Sequence, residues 1–532
     1  MSDTGGDIIG RALAEAGATH AFGIPGGEVL ALMDGLARAG ITFVLAKHEN
    51  AGGFMAEGHW HATGALPILV ATIGPGVANA INVVANAEQD RVPLIFLTGC
   101  VDAALAETYT HQVFDHQAVL RPIVKASFRA AEGALGAMMA KAVAIAASGQ
   151  PGPVHIDVPI AVAEGTTSEP PVARIPAPAP ALPSADQVAR CRETLALADR
   201  PLVIAGVDAV NAGAGPAIAA FCRHEGIPLV TSYKGKGLMD EADPLCLGGH
   251  GLSPKSDKII LPILAEADCI LLAGYDPIEM RTGWRDPWPA TTPVFDITPV
   301  LRTHGMHSVS ETLMTDISAT LEALTGTPRP RWPDGQPADA RAALEAAFAS
   351  TGWGPAVVFE TLRSALPPET VISIDSGAHR ILLSQQWRAP APRQVLQSTA
   401  LCTMACSVPL AAGHALGAAE TAVVAFVGDA GLEMGLGELA TLRDLGLSMI
   451  VCVLVDESLA LIEMKQRSSQ RPNQGVDFGA TDFPAVAEAM GLAGCWIDDV
   501  ETLEAETSAA LSRGGVTLLA CRIGRRAYDG AF

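Results

Sequence analysis

Short runs of aliphatic residues recur along the chain and alternate with stretches of helical periodicity. The first third contains ITFVLA (41–46), PILVAT (67–72), PLIFLT (93–98) and PVHIDV (153–158), and later runs lie at 201–206, 228–230, 269–274, 293–297, 370–374, 422–428, 449–455 and 516–521. Continuous Val, Ile and Leu runs between helical segments are typical of parallel strands buried on both faces. The pattern therefore predicts an α/β fold with doubly wound parallel sheets.

Two proline-rich stretches divide this pattern into three blocks. They run from residue 164 to about residue 184 and from about residue 326 to residue 337, and proline this dense predicts extended linkers. We therefore predict three α/β domains, at residues 1–165, 186–325 and 345–532. In sheets of this kind ligands bind beyond the carboxyl ends of the strands, so functional residues are expected there.

The composition narrows the classes of function. Hydrophobic residues make up 49% of the 532 residues and the formal net charge is −22, which fits a well-packed protein and argues against nucleic acid or an anionic membrane as a partner. The N-terminus does not resemble a signal peptide, and no apolar run approaches the ~18 residues of a membrane helix. Ten scattered cysteines without a CxxC pair indicate reduced thiols, so a cytoplasmic location is expected.

The segment from Gly428 to Ser458 contains the first candidate chemistry. Gly428, Ala430 and Gly431 follow a predicted strand and are small enough for their N–H groups to approach phosphate oxygens. Asp429 lies in the same turn, and Asp456 follows the next predicted strand, so two carboxylates at this edge suit Mg²⁺ bound to phosphates. Taken alone, a tight turn in which Asp429 caps a helix explains the motif equally well.

A second candidate lies at Lys47-His48-Glu49, where a predicted strand meets a helix. This is a common position for a functional acid, but from position alone a helix-start carboxylate favoured by the helix dipole is the simpler explanation. His59 and His61 are two residues apart and do not share a helix face, so they are interpreted as packed or solvated side chains rather than metal ligands.

Taken in order, these segments resemble the thiamine-diphosphate enzymes of the acetolactate synthase, pyruvate oxidase and benzoylformate decarboxylase type. The resemblance covers nearly the whole chain. It is carried by AFGIPGGEVLALMD (21–34), HEN (48–50), AEGHWHATG (56–64), ATIGPGVANAINVVANAEQDRVPLIFLTG (71–99), HQVFDHQAVLRPIVKAS (111–127), GPVHIDVP (152–159), DSGAHR (375–380), LCTMACSVPLAAGHALG (401–417) and the GDA…VDES segment. The order and spacing of these motifs are more specific than any one of them.

The resemblance implies a pyrimidine-binding domain, a central domain and a diphosphate-binding domain. It implies that thiamine diphosphate lies between the first domain of one subunit and the third domain of its partner, so that a homodimer is the smallest active unit; homotetramers are also frequent in the family. Glu49 matches the acid that hydrogen-bonds the aminopyrimidine ring, and shielding from water would help it to hold a proton. Gln112 matches the glutamine that faces the reacting carbonyl.

The other cofactor contacts are implied in the same way. Met404 matches the bulky residue beneath the bent cofactor, and the backbone carbonyl of Cys402 matches the acceptor of the pyrimidine amino group. The resemblance implies diphosphate contacts at Gly377, Ala378, His379, Gly428, Ala430 and Gly431, metal ligands at Asp429, Asp456 and the carbonyl of Ser458, and further cofactor contacts at Pro25 and Gly26.

Near the cofactor, two motifs depart from the family pattern. GDA replaces GDG, which is tolerable if Ala430 keeps a negative φ, and Val455-Asp456 replaces Asn-Asn, which keeps a metal ligand and adds charge. On the substrate side His111 replaces Phe and Ile73 replaces Ser, so these positions and Gly27 are expected to influence the choice of donor or acceptor. His111 could serve as an acid or base, or it could simply stack.

The central domain departs from the pattern as well. Its GYDPIEMRTGW segment lacks the Asp-Asp-Arg triplet found in acetolactate synthases that hold FAD, which argues against FAD. Arg281 lies one place from the family's arginine and could bind a substrate carboxylate.

Three functions follow from these residues. The first is a carboligase that decarboxylates a 2-oxo acid and transfers the remaining fragment to a second carbonyl. The alternative within the family is a decarboxylase or C–C lyase acting on another 2-oxo acid, a 2-hydroxy ketone, a sulfonate or an acyl-CoA. The alternative from another class is an inactive cofactor-binding scaffold, against which the retention of Glu49, Asp429 and Asp456 argues.

Overall fold

The computed structural model describes residues 3–170, 172, 175–350 and 352–532. Within them, three parallel sheets of six strands follow one another along the chain, with helices between the strands. The predicted α/β fold with three doubly wound sheets is therefore confirmed. Residues 171, 173 and 174 of the first predicted linker lie outside the described residues.

The N-terminal sheet is formed by residues before the first linker. Its strands and the short pair beside it are β1 (Asp3–Thr4), β2 (His20–Ile24), β3 (Thr42–Leu45), β4 (Ile68–Ala71), β5 (Ile95–Cys100), β6 (Ala126–Arg129), β7 (Val154–Pro159) and β8 (Thr166–Thr167). Its helices are α1 (Gly5–Glu15), α2 (Leu30–Arg38), α3 (Glu49–Thr63), α4 (Pro75–Gln89), α5 (His116–Leu120), α6 (Leu135–Ala147) and α7 (Ile160–Glu164). The strand order is β3-β2-β4-β5-β7-β6, and β1 pairs with β8.

The middle sheet has the order β11-β10-β9-β12-β13-β14. These strands are β9 (Pro201–Ala205), β10 (Leu229–Ser232), β11 (Cys246–His250), β12 (Cys269–Ala273), β13 (Val294–Thr298) and β14 (Glu311–Met314). The helices around it are α8 (Ala185–Leu197), α9 (Val207–Asn211), α10 (Gly215–Glu225), α11 (Pro254–Glu266) and α12 (Ile317–Leu324).

The C-terminal sheet has the order β16-β15-β17-β18-β20-β19. Its strands are β15 (Val371–Ile374), β16 (Val395–Gln397), β17 (Val423–Gly428), β18 (Met449–Val455), β19 (Ala493–Ile497) and β20 (Val516–Arg522). The accompanying helices are α13 (Gln336–Phe348), α14 (Pro355–Ala365), α15 (Ala378–Gln386), α16 (Ser407–Gly417), α17 (Asp429–Met434), α18 (Glu438–Asp444), α19 (Ala460–Ser468), α20 (Phe483–Ala489) and α21 (Val500–Arg513).

The N-terminal and C-terminal sheets share one hydrophobic core. Phe54 of α3 and Val83 of α4 belong to the same buried cluster as Leu410 of α16 and Val451 of β18. Burial of this apolar surface is the main favourable contribution to the packing of the two domains. The first and last thirds of the chain therefore form one packed unit.

The second predicted linker is packed rather than extended along its whole length. Trp332 is buried, and its indole N–H donates to the Pro201 carbonyl at 2.7 Å. Helix α13 begins at Gln336 and holds Pro337 in its first turn, where proline is tolerated. The prediction of an extended linker up to residue 337 is therefore wrong for its last residues. The domain boundaries stay a prediction, and α13 spans the one at residue 345.

Neither disulfides nor membrane-spanning helices contribute to the described fold. All ten cysteines are free, as the sequence predicts. Within the described residues, none of the helices combines the length and the apolarity that a membrane span requires.

Candidate active site

Three buried acids follow neighbouring parallel strands of the C-terminal sheet. Asp375 follows β15, Asp429 follows β17 and Asp456 follows β18, and all three are nearly inaccessible to solvent. Because β17 pairs with both β15 and β18, the carboxyl ends of these strands meet at one edge. This is the edge where a doubly wound sheet binds its ligands.

Asp429 is held by backbone N–H groups. Its Oδ2 accepts from the amides of Asp456 at 3.0 Å and Glu457 at 2.7 Å, and its Oδ1 accepts from Ala430 at 2.9 Å. Burial raises the pKa of Asp429 even though these three donors oppose the shift. The turn after β17 is thereby linked to the turn after β18.

Asp456 lies beside this carboxylate without a neutralising partner. Its Oδ1 accepts from the Ser458 amide at 3.2 Å, and no Lys, Arg or His of the described chain forms an ion pair with it or with Asp429. Burial and the neighbouring charge of Asp429 raise the pKa of Asp456 to about 8. Two buried like charges are costly unless a cation lies between them, and paired carboxylates with a nearby carbonyl are the ligands that Mg²⁺ prefers.

Asp375 has a different task, which sequence reasoning missed. Its carboxylate accepts from the amides of Ala405 at 3.0 Å and Cys406 at 2.8 Å. These bonds hold the segment from Cys402 to Cys406, in which Cys402 and Ala405 have positive φ values of 61° and 62°. In the sequence, the signal that could have identified Asp375 is its position directly after a predicted strand. Asp375 thus fixes the backbone directly after Met404.

Several polar atoms in this region are buried without a hydrogen-bond partner. At the start of α15 they include Ser376 Oγ, His379 Nε2 and Arg380 Nε, and burial lowers the pKa of His379 to about 3. A Cβ on Gly377 would lie 2.6 Å from the His379 ring, so this turn has no space for a side chain. Unpartnered polar atoms and a narrow glycine turn fit a polar ligand such as a diphosphate.

A cavity of about 570 Å³ collects the predicted C-terminal site residues and adds others. It is lined by Gly377, Ala378, His379, Cys402, Met404, Gly428, Asp429, Ala430, Gly431, Asp456 and Ser458, together with Arg281 of the middle domain. Sequence reasoning missed Lys465, Tyr528 and Phe532, which also line it. Tyr528 and Phe532 come from the chain end, where no motif marks them.

The predicted N-terminal residues gather at the carboxyl edge of the N-terminal sheet. Glu49 begins α3 and is only 5% exposed. Its Oε2 accepts from the side-chain amide of Asn79 at 3.0 Å. A Cβ on Gly76 would lie 3.3 Å from Glu49 Oε1, so α4 approaches this carboxylate closely. Glu49 is therefore shielded from water, as its predicted role requires.

The remaining N-terminal candidates lie in the segments that follow β2, β4 and β5. Gly26 follows β2 and has no room for a side chain, because a Cβ would overlap Thr72, whereas Gly27 faces open space. Ile73 is buried, while His111 and Gln112 are exposed and lie on one turn. Pro25 lies between β2 and this glycine pair.

The structure thus forms two half-sites. In the described residues, no N-terminal candidate lines the cavity that contains Asp429 and Asp456. The two groups are separated even though their domains share a core through α3 and α16.

Family comparisons agree with this organisation. The sequence model of the thiamine pyrophosphate enzyme N-terminal TPP binding domain matches residues 3–119, that of the central domain matches residues 188–324, and that of the C-terminal TPP binding domain matches residues 375–521. Both half-sites lie in the domains that bind thiamine pyrophosphate, which is another name for thiamine diphosphate.

Curated relatives extend the similarity to nearly the full chain. A protein of Pseudomonas aeruginosa named "Probable 2-ketoarginine decarboxylase AruI" is 30% identical, over 98% of this chain and 94% of its own. The acetolactate synthase large subunit of Parasynechococcus marenigrum is 29% identical, over 98% of this chain and 88% of its own. The acetolactate synthase isozyme 3 large subunit of Escherichia coli is 29% identical, over 96% and 92%. By its three domains, its site residues and this similarity, the chain belongs to the thiamine pyrophosphate enzyme family.

Proposed function

We propose that the protein is a thiamine-diphosphate- and Mg²⁺-dependent carboligase that decarboxylates a 2-oxo acid and joins the remaining fragment to a second carbonyl. The observation that carries the proposal is the cavity in which two buried, uncompensated carboxylates adjoin orphaned polar atoms at a glycine turn. Asp429, Asp456 and the carbonyl of Ser458 would hold the metal ion, and the Gly377–His379 turn would hold the diphosphate.

The chain's own residues have distinct tasks in this reaction. When bound, thiamine diphosphate supplies the electron sink for breaking or making a bond next to a carbonyl. Glu49 would hydrogen-bond the aminopyrimidine in a water-excluded position, because Asn79 and α4 enclose it. Met404, directly before the backbone fixed by Asp375, would pack against the cofactor, and the Cys402 carbonyl would accept from its amino group.

Two cations at the cavity are suited to a substrate carboxylate. Arg281 is 44% exposed and its nearest acid, Asp257, is 3.5 Å away, so its guanidinium has capacity for another acceptor. Lys465 of α19 lines the same cavity and forms no ion pair among the described residues. Gln112, His111, Ile73 and Gly27 would face the substrate from the N-terminal half-site.

We propose that the complete site forms between two chains. The separation of the half-sites within one chain supports this arrangement, because Glu49 would have to reach a cofactor that Asp429 and Asp456 would hold through the metal ion. A homodimer is then the smallest active unit, and a pair of dimers is compatible with it.

We do not expect FAD in the middle domain. Asp208 follows β9, Asp276 follows β12 and Asp296 lies within β13, and Arg302 contacts all three. This acidic cluster is a poor environment for the diphosphate of FAD. The purified protein should therefore lack the yellow absorbance of a flavin.

A decarboxylase or lyase of the same family is the second candidate. Two observations support this candidate. One relative is named as a probable 2-ketoarginine decarboxylase, and His111 stands in place of Phe on the substrate side. An inactive scaffold is disfavoured because it would not need Glu49 and the metal acids together. The test is to incubate the holoenzyme with a panel of 2-oxo acids, alone and with acceptor carbonyls, and to identify the products by mass spectrometry. Products in which two fragments are joined would support the carboligase, and aldehydes alone would support the decarboxylase.

Replacing Glu49 by Gln tests the acid. We expect kcat to fall by at least about a hundredfold, because the amide cannot exchange a proton with the cofactor, while cofactor affinity changes little. Glu225→Gln is the matched control, since Glu225 is equally buried but lies in the middle domain, where it accepts from the Gly326 amide. Retained turnover in Glu49→Gln would contradict the assignment.

Chelation tests the metal site. Removal of divalent cations from the holoenzyme should release thiamine diphosphate, and adding Mg²⁺ back should restore binding, measured by calorimetry. Asp456→Ala should weaken the response to Mg²⁺. Cofactor affinity that is indifferent to chelation would exclude a metal at Asp429 and Asp456.

A further inference from the structure

A chain of buried polar side chains lies under the substrate side of the N-terminal half-site. His116, at the start of α5, contacts Asp157 of β7 through Nδ1 at 2.8 Å. Thr98 Oγ1 donates to the same carboxylate oxygen at 2.7 Å and contacts His155 Nε2 at 2.8 Å. His155 Nδ1 then contacts Ser127 Oγ at 2.8 Å. Apart from Ser127, these side chains are almost completely buried.

The direction of each hydrogen bond follows from the groups at the two ends. The amide of Gly74 can only donate, and it lies 3.3 Å from His116 Nε2, so this nitrogen must be an acceptor and the proton of neutral His116 is on Nδ1, facing Asp157. At the other end, Gln117 Nε2 donates to Ser127 Oγ at 3.1 Å. The Ser127 hydroxyl can then donate to His155 Nδ1.

His116 is therefore neutral, because its Nε2 is an acceptor. When Ser127 donates to His155 Nδ1, His155 donates through Nε2 to Thr98 and the Thr98 hydroxyl donates to Asp157, so that donors from both ends converge on one carboxylate. Burial favours the neutral acid, but the contacts with His116 and His155 outweigh it and lower the pKa of Asp157. Ligand atoms of His116, His155 and Asp157 lie within 4.8 Å of one another, yet protons already satisfy these contacts, so a metal ion is not needed here.

His116 Nε2 binds the amide of a glycine in a crowded turn. Gly74 has a φ of +68°, and a Cβ there would overlap the backbone oxygen of Gln112. Two residues further on, Gly76 approaches Glu49 Oε1. Moving Gly74 would therefore displace Gln112 and open the enclosure of Glu49.

We propose that His116, with its proton held on Nδ1 by Asp157, is a positioning residue that fixes Gly74 and thereby the placement of Gln112 and Glu49. The proposal rests on the proposed function for its kinetic consequence. Its structural core, the hydrogen bond from the Gly74 amide, is independent of any activity.

Two conservative variants separate the roles of the two ring nitrogens. His116→Gln keeps an acceptor within reach of the Gly74 amide, whereas His116→Asn keeps a donor to Asp157 and loses that acceptor. We expect His116→Asn to lower kcat by between about tenfold and a hundredfold with a smaller change in KM, and His116→Gln to recover most of the loss. Hydrogen–deuterium exchange of a peptide that covers residues 71–77 should rise in His116→Asn and stay near the native rate in His116→Gln.

The control is His250→Gln, because His250 is similarly buried but donates to Leu247 in the middle domain. Its unfolding temperature should fall with kcat unchanged. Equal exchange and equal kcat in both His116 variants would overturn the proposal. A native protein that turns over no 2-oxo acid would refute the proposed function, while the exchange data would still test the hydrogen bond.

Discussion

At the scale of single residues, the turn after β17 shows how side-chain size shapes the site. Ala430 replaces the usual glycine, and the structure accommodates it because the residue lies inside α17 with ordinary helical backbone rather than positive φ. Gly431 is different, since a Cβ there would overlap Asp375 Oδ2. Position 430 therefore tolerates a methyl group, whereas position 431 does not.

Gly431→Ala should therefore damage the site through Asp375. The added methyl would push this carboxylate away from the Ala405 and Cys406 amides, and overpacking of this kind costs about 1–3 kcal/mol. We expect a lower unfolding temperature and weaker cofactor binding, measured by calorimetry. Gly479→Ala is the control, because a Cβ there meets nothing within 4 Å. Native cofactor affinity in Gly431→Ala would show that Asp375 does not hold the loop.

From the hydrophobic pattern alone, individual site residues were predictable only where they directly follow a strand. Asp429 and Asp456 directly follow long apolar strands, so the sequence alone suggests that they meet. Lys465 and Phe532 reach the cavity from a helix and from the chain end, and their place depends on tertiary packing. The hydrogen-bonded side chains from His116 to Ser127 were missed for the same reason, since they come from separate elements that only the fold of the sheet brings together.

At the scale of elements, the continuous aliphatic runs predicted most inner strands and few edge strands. They correspond to inner strands, such as β4, β17 and β18, and to the edge strand β3. Within the three six-stranded sheets, the strands without such a run are the edge strands β6, β11, β14, β16 and β19 and the inner strand β2. An edge strand has one neighbour and less apolar cover, so its sequence lacks the continuous hydrophobic signal.

Helices α3 and α16 pack through glycines, which brings the two functional domains close together. A Cβ on Gly58 would overlap the Leu410 carbonyl, and one on Gly413 would overlap the Met55 carbonyl. Glu49 begins α3, and the loop with Met404 leads into α16, so this packing also positions both half-sites.

Gly58→Ala and Gly413→Ala should each destabilise the protein by about 1–3 kcal/mol, because backbone atoms of the facing helix cannot move aside easily. Denaturant unfolding measures the loss. Gly136→Ala, inside α6, is the control, since its nearest neighbour is the end of the Val172 side chain at 3.1 Å. Unchanged stability in both interface variants would mean that the helices are not packed this closely.

At the scale of the whole molecule, the described chain holds two half-sites, and the residues of the N-terminal one do not line the cavity of the C-terminal one. The order of three α/β domains and the grouping of the C-terminal candidates around one cavity could be predicted from motif order. The packed second linker and the shared core of the outer domains could not, because they depend on contacts between distant segments such as Trp332 with Pro201.

A hybrid dimer tests the central claim most directly. Glu49→Gln and Asp429→Ala variants with different tags are co-expressed, and dimers that carry both tags are purified and assayed with the 2-oxo acid that the native enzyme accepts. If Glu49 of one chain serves the metal acids of its partner, each hybrid has one intact site and should show about half the activity of the native dimer. A hybrid as inactive as its two parents would contradict a site shared between chains.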